Sequence, residues 1–493
     1  MNLRLRQVPQ GLWGIFFVLG FLSFKAPFLF AEETLQIKNL PLNDLQGQSS
    51  LKQKTVLGNN NPMVKGALGF TGRYYQSSQA QFYREGAEDQ QTEYTLGLRS
   101  EPGTRGGGFD IETKFQGGEG VNYFRPSEAY YKFDVGSSHL YFGRKLQPWS
   151  QADRLWHRGL FESRFMDDPL EAKPAGLTGL FWVFRQNNNE FMIFTSPLFI
   201  PEFGPQATVE NNKLTSKNPW FRPPSDEILL NKSKVEMNYR IVTPDIEDVI
   251  LHPSVGFHLQ RQWQDWFFAS SYAYKPMNQF LLEVPFVLNL TDVTSDVSID
   301  ADIVPRVEYQ HVASLAMGKN SSIVHSWLEW NYEKPATEEY NYKHITQTMN
   351  ETHIFTGTVE TSENLSGFHG TKLWLSYSRL LGGDGKDYGE FAPDESLFER
   401  RFQFQNAFQL GVRRQFSGVF SRPLLVSSSV LYDISQNGGI FSLQGTYFLS
   451  QFWQCFFSVD LIGRMSNENS IDNGFTSLYR SNDRVSLGAN YVF

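Results

Sequence analysis

The sequence predicts an all-β protein, a membrane-spanning antiparallel β-barrel of about 18 strands within a range of roughly 16–20. Three observations support this prediction. Apolar and polar residues alternate in many segments, aromatic residues make up 15% of the 493-residue chain, and short connections alternate with long ones. A strand with one side toward lipid and the other toward water produces such alternation, whereas a helix spreads apolar residues around its circumference.

The first 31 residues have the plan of a secretory signal peptide. Arg4 and Arg6 precede an apolar run over residues 11–24, and Ala31 offers a small residue at the cleavage point. The run is too short to span a membrane as a helix, although an uncleaved anchor is the alternative. Removal of residues 1–31 changes the net charge from −8 to −11, because three basic residues leave with them. An acidic mature chain argues against nucleic acid as a partner.

Residues 32–62 show no regular period and are expected to form a periplasmic N-terminal tail, with a plug folded into the barrel as the alternative. The barrel is expected over residues 63–493. Its clearest alternating segments are 109–115, 129–135, 235–241 and 402–412. Two weaker candidates, near 139–144 and 263–275, account for the range in the predicted strand number.

The lengths of the connections predict the orientation of the barrel, because such barrels have short periplasmic turns and long extracellular loops. The long segments predicted outside are 145–176, 197–231, 333–349, 382–401 and 464–483. The short segments predicted on the periplasmic side are 136–138, 186–189, 276–278, 318–321 and 450–451. Four segments fit this alternation less well: 242–252 and 361–370 are long for periplasmic turns, and the outside turns near Trp263 and Gln436 are short.

The last ten residues predict a closing strand. Phe493, Tyr491 and Ala489 share one face with Leu487 and Val485. A final strand that ends in Phe with Tyr two residues earlier resembles the C-terminal signature of Gram-negative outer-membrane β-barrels. The resemblance implies a multi-pass barrel in the outer membrane, in contact with its lipid and lipopolysaccharide, with Tyr491 and Phe493 recognised by the barrel-assembly machinery. The closing strand of a soluble β-sandwich is the alternative.

Charged residues of both signs fall on the predicted lumen side of the strands. Such residues predict a wet lumen that conducts polar solutes, while salt bridges inside a filled barrel are the alternative. The pore-lining candidates on the strands are Lys132, Asp134, Glu236, Arg240, Arg306 and Glu308.

The loop over residues 143–176 supplies the constriction candidates Arg144, Lys145, Arg154 and Arg158, and we expect it to fold inward and narrow the pore. Packing on neighbouring loops or contact with lipopolysaccharide is the alternative. The pattern Gly143-Arg144-Lys145 followed by Asp153-Arg154-Leu155-Trp156 is similar to stretches of alginate-export-type porins, from which it departs at Lys145. That resemblance implies an exporter of an acidic polysaccharide.

Catalytic signatures are missing from the sequence: it contains no His-Glu-x-x-His zinc motif, no Gly-x-Ser-x-Gly elbow and no Walker-type phosphate loop. We therefore expect no enzyme, no cofactor and no metal. The predicted function is a porin-like channel for passive diffusion of small hydrophilic solutes. The alternatives are an exporter of an acidic exopolysaccharide and a non-conducting structural or docking barrel of a cell-envelope machine. The solute and the oligomeric state stay open at this level.

Overall fold

A computed structural model describes residues 64–75, 89–100, 106–116, 122–230, 233–292, 295–337, 340, 343–361, 370–385, 387–389, 392, 400–419, 422–464 and 474–493. The predicted signal peptide, 1–31, and the predicted tail, 32–62, lie outside these ranges.

Strands make up most of the described chain. In chain order they are β1 (Val64–Tyr75), β2 (Gln90–Ser100), β3 (Gly106–Gln116), β4 (Tyr123–Val135), β5 (Ser138–Lys145), β6 (Ser163–Phe165), β7 (Lys173–Ala175), β8 (Leu177–Gln186), β9 (Asn189–Ser196), β10 (Thr208–Glu210), β11 (Lys213–Thr215), β12 (Glu227–Leu230), β13 (Ser233–Ile241), β14 (Ser254–Trp263), β15 (Trp266–Pro276), β16 (Leu281–Val284), β17 (Phe286–Asp292), β18 (Ser295–Arg306), β19 (Tyr309–Asn320), β20 (Val324–Pro335), β21 (Ile345–Thr346), β22 (Met349–Thr361), β23 (Thr371–Asp384), β24 (Asn406–Val419), β25 (Arg422–Asp433), β26 (Gly438–Phe448), β27 (Trp453–Arg464) and β28 (Arg484–Val492). The described helices are short: α1 (Gln151–Trp156), α2 (Ile246–Ile250), α3 (Phe475–Leu478) and a 3-10 turn (Pro169–Glu171).

Eighteen of these strands form one closed antiparallel ring, which confirms the predicted fold class and strand number. The ring runs in the order β1–β5, β8, β9, β14, β15, β19, β20 and β22–β28. It closes where β28 pairs with β1, from Ala67 opposite Val492 to Tyr75 opposite Arg484. A closed ring leaves no unpaired strand edge, which is the requirement for crossing lipid with strands.

The two sides of the ring have the polarity of a membrane barrel. Large apolar side chains on the outer side are exposed, with Leu328 64% and Leu487 62% accessible. On the inner side, Asn331 and Gln310 are fully buried. This arrangement is the reverse of a soluble protein, so the outer wall faces lipid. Within the described residues, no helix is both long and apolar enough to cross a membrane.

Aromatic rings lie at both rims of the wall. At the periplasmic rim the Trp453 and Tyr491 ring centroids are 5.0 Å apart, and at the opposite rim Tyr274 stacks on Tyr309 at 5.2 Å. Rings with a polar tip favour the boundary between lipid and water. Their positions therefore mark the two interfaces.

The connections follow the predicted alternation over most of the chain but not between residues 197 and 308. Pro276 ends β15 at the extracellular end, and the turn after Trp263 is periplasmic, so both predictions were wrong in sidedness. Residues 242–252 are part of one long extracellular connection between β9 and β14 rather than a periplasmic turn. The short outside turn near Gln436, between β25 and β26, is as predicted.

The reason for these errors is a separate sheet, which we call the cap sheet, formed by β12, β13, β16, β17, β18 and β21 from three extracellular connections. Val235, Met237 and Tyr239 of β13 were predicted to face lipid, but they are buried in a core of their own. Leu214 of the β10–β11 hairpin packs into the same core. Alternation alone cannot separate lipid-facing strands from strands that cover a small core, because both have one apolar side.

Candidate functional site

The 31-residue connection between β5 and β8, residues 146–176, folds into the barrel, and we call it the lumen loop. It has regular structure of its own. The Ser150 hydroxyl caps α1 by accepting from the Asp153 backbone nitrogen at 2.8 Å, and His157 ends the helix in a left-handed conformation at φ 48°. The β6–β7 hairpin follows. The loop therefore enters the lumen as an ordered element.

One side of the barrel holds the start of α1. The Glu329 carboxylate on β20 accepts from the backbone nitrogens of Gln151 at 3.1 Å and Ala152 at 2.9 Å, and from the Ser150 hydroxyl. The first N–H groups of a helix lack partners inside the helix, so an acidic side chain at this end satisfies them. Glu329 thus fixes the position of α1 in the lumen.

The end of α1 is held by the neighbouring wall. The Trp156 indole donates to the Ser376 hydroxyl on β23 at 3.0 Å, and the Arg158 guanidinium donates to Thr356 on β22 and to Ser378 on β23. Burial lowers the pKa of Arg158 to about 10, although the nearby Asp153 charge acts in the opposite direction. The hydroxyls of the wall take the place of water around this buried cation.

The second half of the loop binds the opposite wall through ion pairs, which we call the charge cluster. Burial acts to raise the pKa of Asp167, but the Lys114 and Arg125 charges outweigh it and hold that pKa below its ordinary value. The pairs between loop and wall are Asp167 with Arg125 and Lys114, Asp168 with Arg484, Glu171 with Arg73 and Arg484, and Lys173 with Glu112. The wall partners come from β1, β3, β4 and β28, so the loop bridges the interior from one side to the other.

A cavity of about 560 Å³ remains between the lumen loop and the wall strands β20 and β22–β26. Its loop side includes Arg154, Glu162 and Leu155. Its wall side includes the serines and glutamines of three neighbouring strands, Gln409, Ser427, Ser429, Ser442 and Gln444. The interior is therefore divided into a side filled by the loop and a side with open space.

The four predicted constriction residues lie on or beside the lumen loop but have different surroundings. Arg154 lines the cavity, with its guanidinium 3.5 Å from the Glu162 carboxylate. Arg144 is 6% exposed and packs over the Phe165 ring, and the Lys145 amine lies 4.4 Å from the Tyr130 ring centroid. Arg158 is held against the wall as described above. The prediction that this loop folds inward agrees with the structure, and the role of each residue in selectivity stays a prediction.

Lys132 and Asp134 are on the inner side of β4, as predicted, near its periplasmic end. Their charged groups are 3.0 Å apart, and the His139 ring nitrogen lies 2.6 Å from Asp134. Neither residue is among those that line the cavity.

The placement of Glu236, Arg240, Arg306 and Glu308 on the barrel wall was wrong. Glu236 and Arg240 belong to β13 of the cap sheet, where Arg240 pairs with Asp302 at 2.7 Å on an exposed face. Arg306 ends β18 and lies 3.4 Å from Glu283, and Glu308 accepts from Thr337. These residues are in the extracellular connections because the strands that carry them are not ring strands.

Several residues of the site were not predicted. Glu329 acts through contacts with residues 177–179 positions away in the chain, and no motif marks it. Glu162 contacts Arg154 and Gln147 of the same part of the chain, and no motif marks it either. The alternation of Ser427 and Ser429 is obscured by Ser428 between them, since a run of three serines has no visible period. Their side of the strand becomes clear only from the pairing of Ser429 with Gly411 and Ser442.

The predicted assembly residues are at the seam of the ring. The backbone of Phe493 exchanges two hydrogen bonds with Gly66, at 2.9 and 2.8 Å, and its ring covers the position where a Gly66 side chain would lie. Tyr491 pairs with Leu68 and Trp453. Recognition by the assembly machinery stays a prediction.

The closed ring, apolar outer wall, polar interior and inward-folded loop define an outer-membrane β-barrel of porin-type architecture. No protein-family model and no curated protein sequence matches the chain. Among solved structures it is similar to Pseudomonas aeruginosa OccK11 (14% identity, TM-score 0.40, 87% of this chain and 96% of that one) and to Acinetobacter baumannii OccAB3 (10%, 0.43, 87% and 99%). It is also similar to Salmonella typhi OmpF in complex with daunomycin (11%, 0.38, 88% and 98%). At these values the similarities carry no argument about solutes or residues, and the resemblance to alginate-export-type porins stays a prediction.

Proposed function

We propose that the protein is a passive channel for small hydrophilic solutes, with the lumen loop as its filter. The observation that carries this proposal is the cavity left beside the loop, whose lining combines polar side chains of the wall and the loop with aromatic and aliphatic ones. A polar lining replaces part of the hydration of a solute, so small hydrophilic molecules cross at low cost while lipids are excluded.

The lumen loop is suited to act as the filter because it is held at several independent points. Glu329, Ser376 and the charge cluster fasten it to different wall strands. A loop held in this way keeps its position during permeation, so the size limit of the channel is set by the remaining cavity.

The proposed partners of the channel include the lipids around its outer wall. Lipid is in contact with the apolar band, and we include lipopolysaccharide among the proposed partners because the loops lie at the extracellular end. Barrel-assembly machinery, acting on Tyr491 and Phe493, is proposed for biogenesis. Enzymatic activity is not part of the proposal.

Planar-bilayer recording tests the function. Purified wild-type protein is expected to give discrete open steps, and a variant with residues 150–172 replaced by a short glycine-serine linker is expected to give larger ones. A variant with the β10–β11 hairpin tip, residues 210–213, replaced by the same kind of linker serves as control, since this tip lies in the extracellular connection between β9 and β14. Absence of steps in wild-type protein together with steps in the loop-replaced variant would contradict the passive channel and favour a closed barrel.

A further inference from the structure

The outer wall has a groove of about 1060 Å³ on the lipid-facing side of β14, β15, β19, β20, β22 and β23. Large apolar side chains along it, such as Leu315 and Leu328, are 50% and 64% exposed. Small residues interrupt the apolar rows, since Ser270 lies opposite Leu315 and Gly357 lies opposite Leu328. The result is a depression with apolar sides, comparable in volume to known ligand sites of roughly 300–1,000 Å³.

Two cations lie at the periplasmic end of this groove. Arg261 is part of the lining, and the Lys319 amine, two strands away, is 5.9 Å from the centroid of the Trp266 ring. Both are exposed on the lipid-facing side, because Arg261 is opposite Phe268 and Lys319 is opposite Trp266. Among the residues described on this part of the wall, no carboxylate forms an ion pair with either cation, Asp265 of the intervening turn included. Their charges are therefore available to a group outside the protein.

Two tryptophans place this end of the groove at the membrane interface. Trp263 and Trp266 lie opposite each other next to the periplasmic turn, and Trp263 also lines the groove. Indole rings favour the level of the lipid headgroups, and their N–H groups can donate to phosphate or ester oxygens. The groove therefore extends from the hydrocarbon layer to the headgroups of the periplasmic leaflet.

The apolar part of the groove does not by itself distinguish one lipid from another. The bilayer around the barrel is as apolar as the groove, so an acyl chain that enters it gains van der Waals contacts but no hydrophobic free energy. A cation near the membrane surface, in contrast, favours an anionic headgroup, by about five-fold for each Lys or Arg. The charges at the end of the groove thus decide which lipid it holds.

From these observations we propose that the groove binds one anionic phospholipid of the periplasmic leaflet, of the phosphatidylglycerol type. Its acyl chain lies along Ser270 and Gly357, and its phosphate lies between Arg261 and Lys319. The long side chains of the two cations reach the headgroup level while their stems stay against the apolar wall. The site is on the outside of the barrel, so it does not depend on conduction through the lumen.

Native mass spectrometry of the purified protein in detergent tests the site. Phosphatidylglycerol and phosphatidylcholine with identical acyl chains are added in equal amounts. One phosphatidylglycerol is expected to stay bound in preference to phosphatidylcholine, by about ten-fold or more. Equal retention of the two lipids would overturn the proposal.

Charge-removing variants locate the headgroup. Arg261→Gln and Lys319→Gln are each expected to lower the preference for phosphatidylglycerol by about five-fold. Arg422→Gln removes an exposed cation at the periplasmic end of β25, outside the groove, and is expected to leave the preference unchanged. The same loss in Arg422→Gln, or no loss in the other two variants, would overturn the proposal.

Ser270→Phe fills the groove without removing a charge. Its side chain is on the lipid-facing side, between Leu259 and Leu315, so the larger ring does not enter the lumen. This variant is expected to lose the bound lipid, whereas Ser270→Ala is expected to keep it. An oligomer that carries no lipid and that Ser270→Phe turns into a monomer would show that the groove is an interface between copies of the chain, and would overturn the lipid assignment.

Discussion

The backbone nitrogen of Ala152 lies 2.9 Å from the carboxylate of Glu329, although the two residues are 177 positions apart in the chain. This hydrogen bond joins the first turn of α1 to the middle of β20. This hydrogen bond fixes the six-residue helix α1 to the inner side of the barrel wall.

Glu329→Ala removes this support and leaves the first N–H groups of α1 without partners. The loss is expected to cost about 1–3 kcal/mol of loop packing. We expect larger or noisier single-channel steps because the loop moves away from β20. Glu210→Ala, at an exposed position of β10, is the matched control. Identical traces for wild type and Glu329→Ala would show that the loop does not depend on this contact.

Arg154 and Arg144 differ in their surroundings, because Arg154 lines the cavity whereas Arg144 packs over the Phe165 ring. Arg154→Ala removes a positive charge beside the cavity whether or not the Glu162 carboxyl is ionised, so it is expected to shift selectivity toward cations by about two-fold. Arg144→Ala removes a side chain packed over Phe165 and is expected to change selectivity less. Reversal potentials of the two variants, measured side by side, decide this. A larger shift for Arg144→Ala would contradict the assignment.

The buried carboxyl of Glu162 is expected to make the stability of the folded protein depend on pH. Burial raises the pKa of its carboxyl from 4.5 to about 7, with the Arg154 charge acting in the opposite direction. The folded protein therefore keeps a proton that the unfolded chain releases. The stability that this provides is complete below pH 4.5 and is lost as the pH rises to about 7.

Glu162→Gln keeps the neutral form at every pH. We expect wild type to lose stability relative to this variant between pH 4.5 and 7, by on the order of 2–3 kcal/mol. Heat-induced unfolding of the detergent-solubilised barrel, read by gel mobility, measures the difference. Glu210→Gln should follow wild type at each pH. Parallel curves for Glu162→Gln and wild type would contradict the buried, protonated carboxyl.

Replacement of Arg484 tests how much the charge cluster contributes to the free energy of unfolding. Its guanidinium pairs with Asp460 at 2.7 Å and with Asp168 of the loop. Arg484→Ala leaves two buried carboxylates without this partner, which is expected to cost about 3–5 kcal/mol. Arg422→Ala, at an exposed position on β25, is the control. An unfolding temperature equal to that of the control would show that the cluster contributes little.

Replacement of Phe493 tests whether the C-terminal residue is recognised by the barrel-assembly machinery. Phe493→Ala keeps the backbone bonds to Gly66 but removes the ring that covers it. We expect less folded protein in the outer membrane, measured by fractionation, while the purified variant refolds in detergent at a rate near that of wild type. Unchanged membrane levels would argue against recognition of this residue.

The ring was predictable from sequence because lipid imposes the same alternation on every strand. The predicted and observed strand numbers agree partly because two errors offset each other. The weak candidates at β5 and β15 are ring strands, whereas the strong candidate at residues 235–241 belongs to the cap sheet. Inward folding of the loop followed from its length and its basic residues. Its partners did not, since Glu329 and Arg484 are brought to the loop by ring closure over hundreds of residues.

The β10–β11 hairpin packs on the cap sheet through Leu214, so its turn takes no part in the barrel wall. Asn211 and Asn212 form that turn with positive φ values of 51° and 63°, and the strands on either side pair Glu210 with Lys213. An epitope inserted between the two asparagines would be presented to antibodies on intact cells. The same position offers a handle for live-cell labelling, by which the orientation of the barrel can be read without purifying it.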